Sequence, residues 1–380
     1  RRHKIFPVDK LGAIHYTFGN VIDNVTESSQ SSHRARKEPR KEQLVPMRIQ
    51  DVARAAGVSV STVSRVLNGR YGVSAETDQR VRRIIDELGY SSSLAAKSMR
   101  SHRTNVIGVI IFDLSLSFCL EVVRGIDEAV KAHTYDLMIY SSNRVNHRDD
   151  PTWERKVAAQ VNGSLVDGLI VVTPTTVDLP TSHPLVTIDP CDEGNFPSVL
   201  STNREGAFEA VSFLIGLGHR RIGFISGRSS LLSARQRQQG YQEALQQAGL
   251  AVLPELVVEG DYSRATALSC AHQLLTLPER PSAIMASNDQ SAMAVIDVAR
   301  ALGLCVPQDL SVIGFDNTPE SAYTVPSLTT VDQSIVAMGC RAAELLIGRV
   351  EGQRVENQLY ELPTHLVVRN SCQPLSANGD

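Results

Sequence analysis

The hydrophobic pattern near the start of the chain predicts two short helices between residues 49 and 69. Gly57 between them suits a backbone that turns out of a helix, and Ser59 is a good N-cap for the second helix. Two helices joined by a tight turn are typical of a helix-turn-helix, whose second helix fits the major groove of DNA. An ordinary helical hairpin has the same pattern, so this segment alone leaves both interpretations open. The apolar positions are Val52, Ala53 and Ala56 in the first helix and Val63, Val66 and Leu67 in the second.

A third helix is predicted directly after this pair, because apolar residues recur at i, i+3, i+4 and i+7 from Val81 to Leu88. Ser74 can cap this helix, and Gly89 ends it. Residues 90–105 are rich in serine and poor in apolar side chains. We expect them to form a linker that becomes helical only when a partner or DNA holds it.

From Val106 onwards, apolar runs of strand length alternate with amphipathic helical segments. This alternation predicts parallel sheets with right-handed crossovers. The pattern extends over more residues than one sheet usually needs, so we expect two doubly wound α/β lobes. The predicted strands are 106–112, 136–140, 169–172, 185–188, 222–225, 283–286 and 312–315, and the predicted helices include 121–133, 204–217, 235–248 and 291–302.

Polar residues directly follow several of these strands. In open parallel sheets, ligands bind beyond the carboxyl ends of the strands. We therefore expect a ligand site made of the strand-end residues, which are Asp113, Thr173, Pro174, Asp189, residues 227–235, Asn288, Asp289 and Asp316.

Composition narrows the class of protein. The 380 residues are 42% hydrophobic and 21% charged, which is ordinary for a globular protein of two or three domains. No apolar run approaches the roughly 20 residues that span a bilayer, and the basic start has no apolar secretory segment after it. The six cysteines lie far apart, without a CxxC pair or a neighbouring histidine at metal spacing. We expect reduced thiols in a cytoplasmic protein, with no metal and no cofactor.

The net charge of −3 conceals an uneven distribution. Residues 47–105 contain 10 Lys and Arg against 5 Asp and Glu, whereas residues 106–380 contain 19 against 31. A small basic N-terminal segment followed by a large acidic domain is typical of a DNA-binding headpiece joined to a sensing domain. Residues 1–46 are polar and precede the first methionine, Met47, so we interpret them as a flexible N-terminal extension.

Eight motifs follow one another along the chain: IQDVARAAGVSVSTVSRVLNG, RTNVIGVII, VDGLIVV, LGHRRIGFISG, SARQRQQGY, ASNDQSAMAV, VPQDLSVIGFDN and PSLTTVDQ. Together they resemble the LacI/GalR family of bacterial transcriptional regulators, from Met47 to about Cys372. The resemblance implies an α-helical helix-turn-helix headpiece and an α/β core with the fold of periplasmic sugar-binding proteins, in which two lobes enclose a ligand cleft. It also implies dimers that bind pseudo-palindromic operator DNA under the control of a small effector.

The implied domain organisation has five parts. Residues 1–46 are the extension, 47–91 the headpiece, 92–105 the hinge helix or linker, 106–372 the two-lobed core and 373–380 a tail. No heptad repeat follows the core, so we expect a dimer rather than a zipper-joined tetramer.

The resemblance carries DNA-binding roles onto the second helix. Val60 and Ser61 match positions that reach base edges, and Arg65 matches a further base reader whose side chain suits a guanine edge. Val60 is apolar, so it would read a thymine methyl group or groove shape. The matches to phosphate contacts are Ser59, Thr62, Ser64 and Asn68.

The segment YSSSLAAKSMRS matches the hinge helix of the family, in which a leucine pair enters the minor groove. Met99 holds the leucine position here, and Ser92 stands where a proline is frequent. Met99 either acts as a flexible wedge or packs at the dimer interface. Arg100 beside it suits a phosphate or minor-groove contact.

The effector site is expected to combine hydrogen-bonding groups for sugar hydroxyls with aromatic rings for an apolar sugar face. Asp316 is the strongest candidate, because GFDN ends a strand at the cleft. Arg235 matches the hydroxyl-binding arginine of the family, and Phe118 either stacks on the ligand or packs in the core. The complete predicted set is Asp113, Phe118, Asp189, Arg235, Tyr262, Asn288, Asp316 and Gln333.

Two departures bear on the identity of the effector. The N-P-F/Y-F motif that is common after the first strand in the family is LSFC here, at residues 116–119. Purine-responsive members have an arginine at the position of Leu231. These features favour a sugar or glycoside over a purine or nucleoside.

Three other functions fit parts of the sequence. A glycosidase would use paired carboxylates, but the chain has no GxGxxG, P-loop, GxSxG or HExxH motif in a supporting strand–helix context, so we expect no enzyme. A plain sugar-binding protein would have no use for the helix-turn-helix. A DNA-binding protein without an effector would leave the strand-end polar residues unexplained.

Overall fold

The computed structural model describes residues 47–67, 71–89, 103–141, 151–161, 165–181 and 183–375. They fall into two compact units, one ending at residue 90 and the other beginning at residue 91. Within these ranges no helix is long and apolar enough to cross a membrane. The predictions for residues 1–46, for Asn68, and for Met99 and Arg100 in the linker lie outside the described residues.

The first unit contains three helices, α1 (Ile49–Ala56), α2 (Val60–Leu67) and α3 (Ala75–Leu88). Gly57 ends α1 at a φ of 65°, a left-handed conformation that glycine adopts without steric cost. The Ser59 hydroxyl accepts a hydrogen bond from the Thr62 amide at 3.2 Å and so caps α2. The helices close around a small core of their own, formed by Val52, Ala53, Ala56, Val63, Val66 and Val81.

The second unit has two lobes, each with a six-stranded sheet. In lobe 1 the strand order is β11-β5-β4-β3-β1-β2, and every neighbouring pair is parallel. Separate apolar clusters cover the two faces of this sheet. Lobe 1 contains β1 (Val106–Ile111), α4 (Ser117–Ala132), β2 (Asp136–Ser141), α5 (Pro151–Val161), β3 (Gly168–Val172), β4 (Leu185–Ile188), β5 (Ser198–Ser201), α10 (Ile335–Val350) and β11 (Leu359–Leu362).

In lobe 2 the strand order is β12-β10-β9-β8-β6-β7, with only β12 antiparallel to its neighbour. Helices cover both faces here as well. Lobe 2 contains α6 (Asn203–Gly216), β6 (Ile222–Ser226), α7 (Leu232–Gln247), β7 (Val257–Glu259), α8 (Arg264–Leu275), β8 (Ala283–Ala286), α9 (Asp289–Ala301), β9 (Ser311–Asp316), β10 (Thr329–Asp332) and β12 (His365–Val367).

The chain passes between the lobes three times, after β5, after β10 and after β11. This topology confirms the predicted fold class of a helix-turn-helix unit and a two-lobed α/β core. The predicted strands all occur, with ends shifted by one residue at most. Strands β5, β7, β10, β11 and β12, and helices α5, α8 and α10, were not predicted.

The segment predicted as a tail begins inside the second lobe. The Gln373 amide donates to the Ser311 hydroxyl at 3.1 Å, and the Leu375 amide donates to the Leu217 carbonyl at 2.8 Å. Residues 373–375 are therefore anchored on lobe 2, because these backbone groups find partners on its surface.

Candidate functional site

Helix α2 exposes the side chains that were predicted to contact bases. Val63 and Val66 are buried, whereas Val60 retains 40% of its surface exposed and Ser61 and Arg65 are exposed. This division follows from the helical period, since the apolar face packs on α1 and α3. The exposed face presents one apolar, one hydroxyl and one guanidinium group, a set suited to base edges.

Two of the predicted phosphate contacts, Ser59 and Thr62, lie at the start of α2, and a third, Ser64, lies in the middle of the helix and is partly buried. The Ser59 hydroxyl is 2.7 Å from the Ser61 hydroxyl and 2.9 Å from the Thr62 hydroxyl. At the other end of the helix, Arg82 donates to the Val66 carbonyl at 3.3 Å and so ties α3 to α2. The orientation of α2 is thus fixed within its own three-helix unit.

A cavity of about 190 Å³ lies between the two lobes of the second unit, at the carboxyl ends of their strands. Six of the eight predicted effector residues line it: Phe118, Asp189, Tyr262, Asn288, Asp316 and Gln333. The structure brings these six together because parallel strands end on the same side of each sheet.

Arg237 is the central cation of this cleft. Its Nε donates to Asn203 Oδ1 at 2.7 Å, and its Nη2 donates to Gln333 Oε1 at 3.2 Å. Its Nη1 donates to the Ser287 carbonyl. The guanidinium carbon lies 3.8 Å from the centroid of the Phe315 ring, within range of a cation–π contact. The arginine is held from several sides while it lines the cavity.

Asp316 ends β9 at a φ of 125°, a strained value for any residue but glycine. Gln333 Nε2 donates to Asp316 Oδ1 at 2.5 Å, and Arg237 Nη1 lies 3.8 Å from the same oxygen. The hydroxyl of Ser201, the last residue of β5 before the crossover, donates to the Gln333 carbonyl at 2.9 Å. One hydrogen-bonded network therefore joins the crossover segments to the cleft carboxylate.

Burial changes the acidity of two of the carboxyl groups that line the cleft, those of Asp316 and Asp189. Desolvation raises the pKa of Asp316 well above its ordinary value, and the positive charge of Arg237 opposes this shift. Desolvation also raises the pKa of Asp189, again against the charge of Arg237. Asp189 Oδ1 is buried without a hydrogen-bond partner, so it is an acceptor available to a ligand donor.

Tyr262 enters the cleft from a loop in which it adopts a φ of 68°. Asn288 Nδ2 donates to the Tyr262 carbonyl at 3.2 Å, and Asn288 Oδ1 caps α9 by accepting from the Ser291 amide at 2.9 Å. A Cβ on Gly227 would overlap the tyrosine ring, so only glycine leaves room for it. Asn288 thus supports the loop that presents the ring.

Apolar side chains form much of the rest of the cavity lining. They come from the loop and helix after β1, from the residue before α7 and from α9, and they are Phe112, Leu116, Phe118, Leu231 and Met293. The lining therefore combines a polar cluster with a hydrophobic surface.

Two predicted effector residues lie outside the cavity lining. Asp113 Oδ1 accepts from the amide and hydroxyl of Ser115, at 2.9 and 2.6 Å, and so stabilises a local turn after β1. Arg235 is partly exposed and donates to the carbonyls of Ser229, Ser230 and Cys191. Arg237 lines the cleft instead, because it lies two positions further along α7 and on the buried face of that helix.

Contacts at the mouth of the cleft join the lobes. Arg235 Nη2 in lobe 2 donates to the Cys191 carbonyl of lobe 1 at 3.1 Å and lies 3.6 Å from Asp192 Oδ1. The Ser117 hydroxyl in lobe 1 donates to Glu320 Oε1 in lobe 2 at 3.1 Å. These groups are exposed or half-buried, so each contact is weak in free energy.

The sequence prediction missed Arg237. Arg228, which also lines the cavity, lies in the predicted strand-end segment 227–235 but was not named in the effector set. The motif SARQRQQGY contains two arginines, and helical spacing places Ala234, Arg237 and Tyr241 on one buried face. That spacing was the available signal for Arg237. Within the described ranges, no group of three or more His, Cys, Asp or Glu side chains is arranged to hold a metal ion.

Two family models match the chain. The model for bacterial regulatory proteins of the lacI family covers residues 48–93, and the model for the periplasmic binding protein-like domain covers residues 211–372. Catabolite control protein A of Priestia megaterium is 34% identical over 328 residues, which are 86% of this chain and 99% of that protein. The HTH-type transcriptional repressor PurR of Photobacterium profundum is 33% identical over 338 residues, with 86% and 99% covered.

Solved structures resemble the chain over the same span. The lac repressor dimer bound to operator and the anti-inducer ONPF is 28% identical, has a TM-score of 0.74, and is matched over 87% of this chain and 100% of that chain. The complex of the transcriptional regulator CelR with cellobiose is 29% identical, with a TM-score of 0.64 and coverages of 86% and 99%.

Proposed function

The chain belongs to the lacI family of bacterial regulatory proteins, and from this premise we propose that a single-ring sugar or glycoside in its inter-lobe cleft controls its binding to operator DNA. The protein is a DNA-binding transcriptional repressor under effector control. It acts by binding rather than catalysis, as a dimer, on chromosomal DNA in the cytoplasm.

The DNA-binding part of the proposal rests on α2. Val60, Ser61 and Arg65 point away from the core of the three-helix unit and are available to base edges. A dimer presents two such helices, which suits two half-sites of a pseudo-palindrome. The lac repressor structure contains this arrangement of dimer and operator.

One observation carries the effector assignment: the Arg237–Gln333–Asp316 network lies in the same cavity as the unpartnered Asp189 Oδ1. Fixed donors and acceptors of this kind match vicinal hydroxyls, and the aromatic wall matches the apolar face of a sugar ring. A cavity of about 150 Å³ holds benzene in another protein, so the volume here suits one six-membered ring.

A purine or nucleobase is the second candidate. The similarity to the PurR repressor favours it, and a planar ring would also stack on the aromatic wall. Leu231 argues against it, because this apolar residue lines the cavity where purine-responsive relatives are expected to have an arginine.

Two experiments test the proposal. Selection of duplexes from a random library by the purified chain should enrich one pseudo-palindromic site, and the absence of enrichment would contradict the DNA-binding part. A thermal-shift screen against monosaccharides, glycosides and nucleobases should raise the melting temperature with a sugar or glycoside, since a ligand of the folded state stabilises it. Stabilisation by a nucleobase alone would favour the second candidate.

A further inference from the structure

Asp167, directly before β3, holds the two residues that lead into β1 of lobe 1. Its Oδ1 accepts from the Thr104 amide at 2.6 Å and from the Thr104 hydroxyl at 2.9 Å. Its Oδ2 accepts from the Asn105 amide at 2.8 Å. The carboxylate is only 8% exposed, and all three donors belong to two consecutive residues.

The surrounding hydrogen bonds show that this contact belongs to the edge of the sheet. The Val106 amide donates to the Thr104 hydroxyl at 3.3 Å, and the Asp167 amide donates to the Val106 carbonyl at 2.8 Å. The Asp136 amide donates to the Asn105 carbonyl at 2.8 Å. Asn105 adopts a φ of 56°, so the backbone bends sharply where it meets β1. Residues 104–106 are thereby joined to both neighbouring strands.

We propose that Asp167 is a positioning residue for operator binding, because it fixes the point at which the linker from the DNA-binding unit meets lobe 1. The inference rests on the proposed function. Asp167 does not line the effector cleft, and its carboxylate holds the end of the linker, so it acts through the linker.

A fixed attachment point matters because a dimer binds its operator bivalently. When the first headpiece is bound, the effective concentration of the second depends on the length and stiffness of the connection between them. Release of residues 104 and 105 would add two residues to that connection and remove its fixed direction where it meets β1, and the effective concentration would fall. Affinity for a complete two-half-site duplex should fall, whereas affinity for a single half-site should not change.

The experiment compares Asp167→Ala and Asp167→Asn with the wild-type chain. The asparagine variant keeps an acceptor for Thr104 but turns an NH₂ group towards the Asn105 amide, so its effect should be intermediate. Asp309→Ala is the matched control, since the Asp309 carboxylate also accepts a loop amide, that of Cys305 at 2.8 Å, but in lobe 2. The probes are the duplex that wild-type protein selects from a random library and the same duplex with one half-site scrambled.

We expect Asp167→Ala to weaken binding to the complete duplex by a few-fold, about threefold, and to leave binding to the half-site duplex within about 1.5-fold of the wild-type value, because only the complete duplex depends on the effective concentration of the second headpiece. Hydrogen exchange should show loss of protection at the amides of residues 104 and 105, with β3 still protected in a folded core. Asp309→Ala should match the wild type in each measurement.

Three outcomes overturn the proposal or its basis. Equal loss on both duplexes would show a general structural defect, and it would overturn the positioning role. Unchanged affinity in both Asp167 variants would overturn it as well. If the wild-type chain selects no duplex, the proposed function itself fails, and the inference fails with it.

Discussion

Arg237 Nη1 lies 3.8 Å from Asp316 Oδ1, and the two side chains retain only 4% and 7% of their exposure. Neither charge has access to bulk water, so each depends on the other and on Gln333 between them. A buried pair of this kind adds little net stability, but loss of one partner leaves an uncompensated charge. The pair is therefore a sensitive point both for the fold of lobe 2 and for the cleft.

Substitution of Arg237 should lower the free energy of unfolding strongly. Arg237→Ala removes three hydrogen bonds and leaves Asp316 without its cation, so we expect a loss of about 3–5 kcal/mol in the free energy of unfolding. The variant should also lose stabilisation by the sugar that stabilises the wild-type chain. Urea denaturation with and without that sugar measures both effects. A loss below about 1 kcal/mol would contradict the central place given to this side chain.

Arg235 provides a matched comparison on the same helix. It carries the same charge, but it is partly exposed and lies outside the cavity lining. Arg235→Ala should change the free energy of unfolding by no more than about 1 kcal/mol, because exposed ion pairs contribute little. Its response to the stabilising sugar, followed by calorimetry, should be retained. Complete loss of sugar binding would show that Arg235 is the ligand residue after all.

The raised pKa of Asp289 predicts that the free energy of unfolding depends on pH. Its carboxylate accepts hydrogen bonds from Thr318 and Thr330, yet burial raises its pKa from 3.8 to about 7. The native state binds more protons than the unfolded state between these values, so stability falls as pH rises from about 4 to about 7 and then levels. Nearby Arg369 opposes the shift, and the raised pKa of Asp316 adds a contribution of the same sign.

The variant Asp289→Asn should have a flatter stability profile over that range, because it removes one of the buried carboxyl groups whose pKa is raised. Chemical denaturation at intervals between pH 5 and pH 8 measures the slopes. Asp309→Asn is the control, since Asp309 is exposed and its variant should keep the wild-type slope. An Asp289→Asn profile as steep as that of the wild-type chain would refute the assignment.

Arg65 should determine sequence preference. Arg65→Ala is expected to cost about 1–3 kcal/mol on the selected operator and to relax discrimination at one base pair, because arginine pairs with a guanine edge. Arg80→Ala removes the same charge from an exposed site on α3. That control should weaken binding to all duplexes to a similar extent. If the Arg65 variant discriminates between base pairs as well as the wild-type chain does, Arg65 does not read a base.

The spacing of apolar residues along the sequence was enough to predict the helix-turn-helix unit and the main strands of both lobes, because these elements have a strong apolar periodicity. It could not predict β5, β10 and β11, because their sequences SVLS, TTVD and LYEL mix polar with apolar residues and their stability comes from neighbouring strands. Asp189, Asn288 and Asp316 were found as cleft residues because each follows a strand. Their position therefore depends on topology alone.

Motif matching could not tell whether Arg235 or Arg237 lines the cleft. Both belong to the same motif, and the answer depends on which face of α7 packs against the crossover segments. Asp113 also follows a strand, yet its carboxylate stabilises its own turn. Side-chain direction within a loop depends on local hydrogen bonds that sequence order does not specify.

The central claim is that occupancy of the cleft controls binding to DNA, and Asp316→Ala tests it most directly. Operator affinity is measured for the wild-type chain and for this variant, with and without the sugar that stabilises the wild-type chain. The ligand should change wild-type affinity by about 5- to 150-fold, and it should leave the operator affinity of the folded variant unchanged. An operator affinity that the ligand does not alter in the wild-type chain, or alters equally in the variant, would contradict the account.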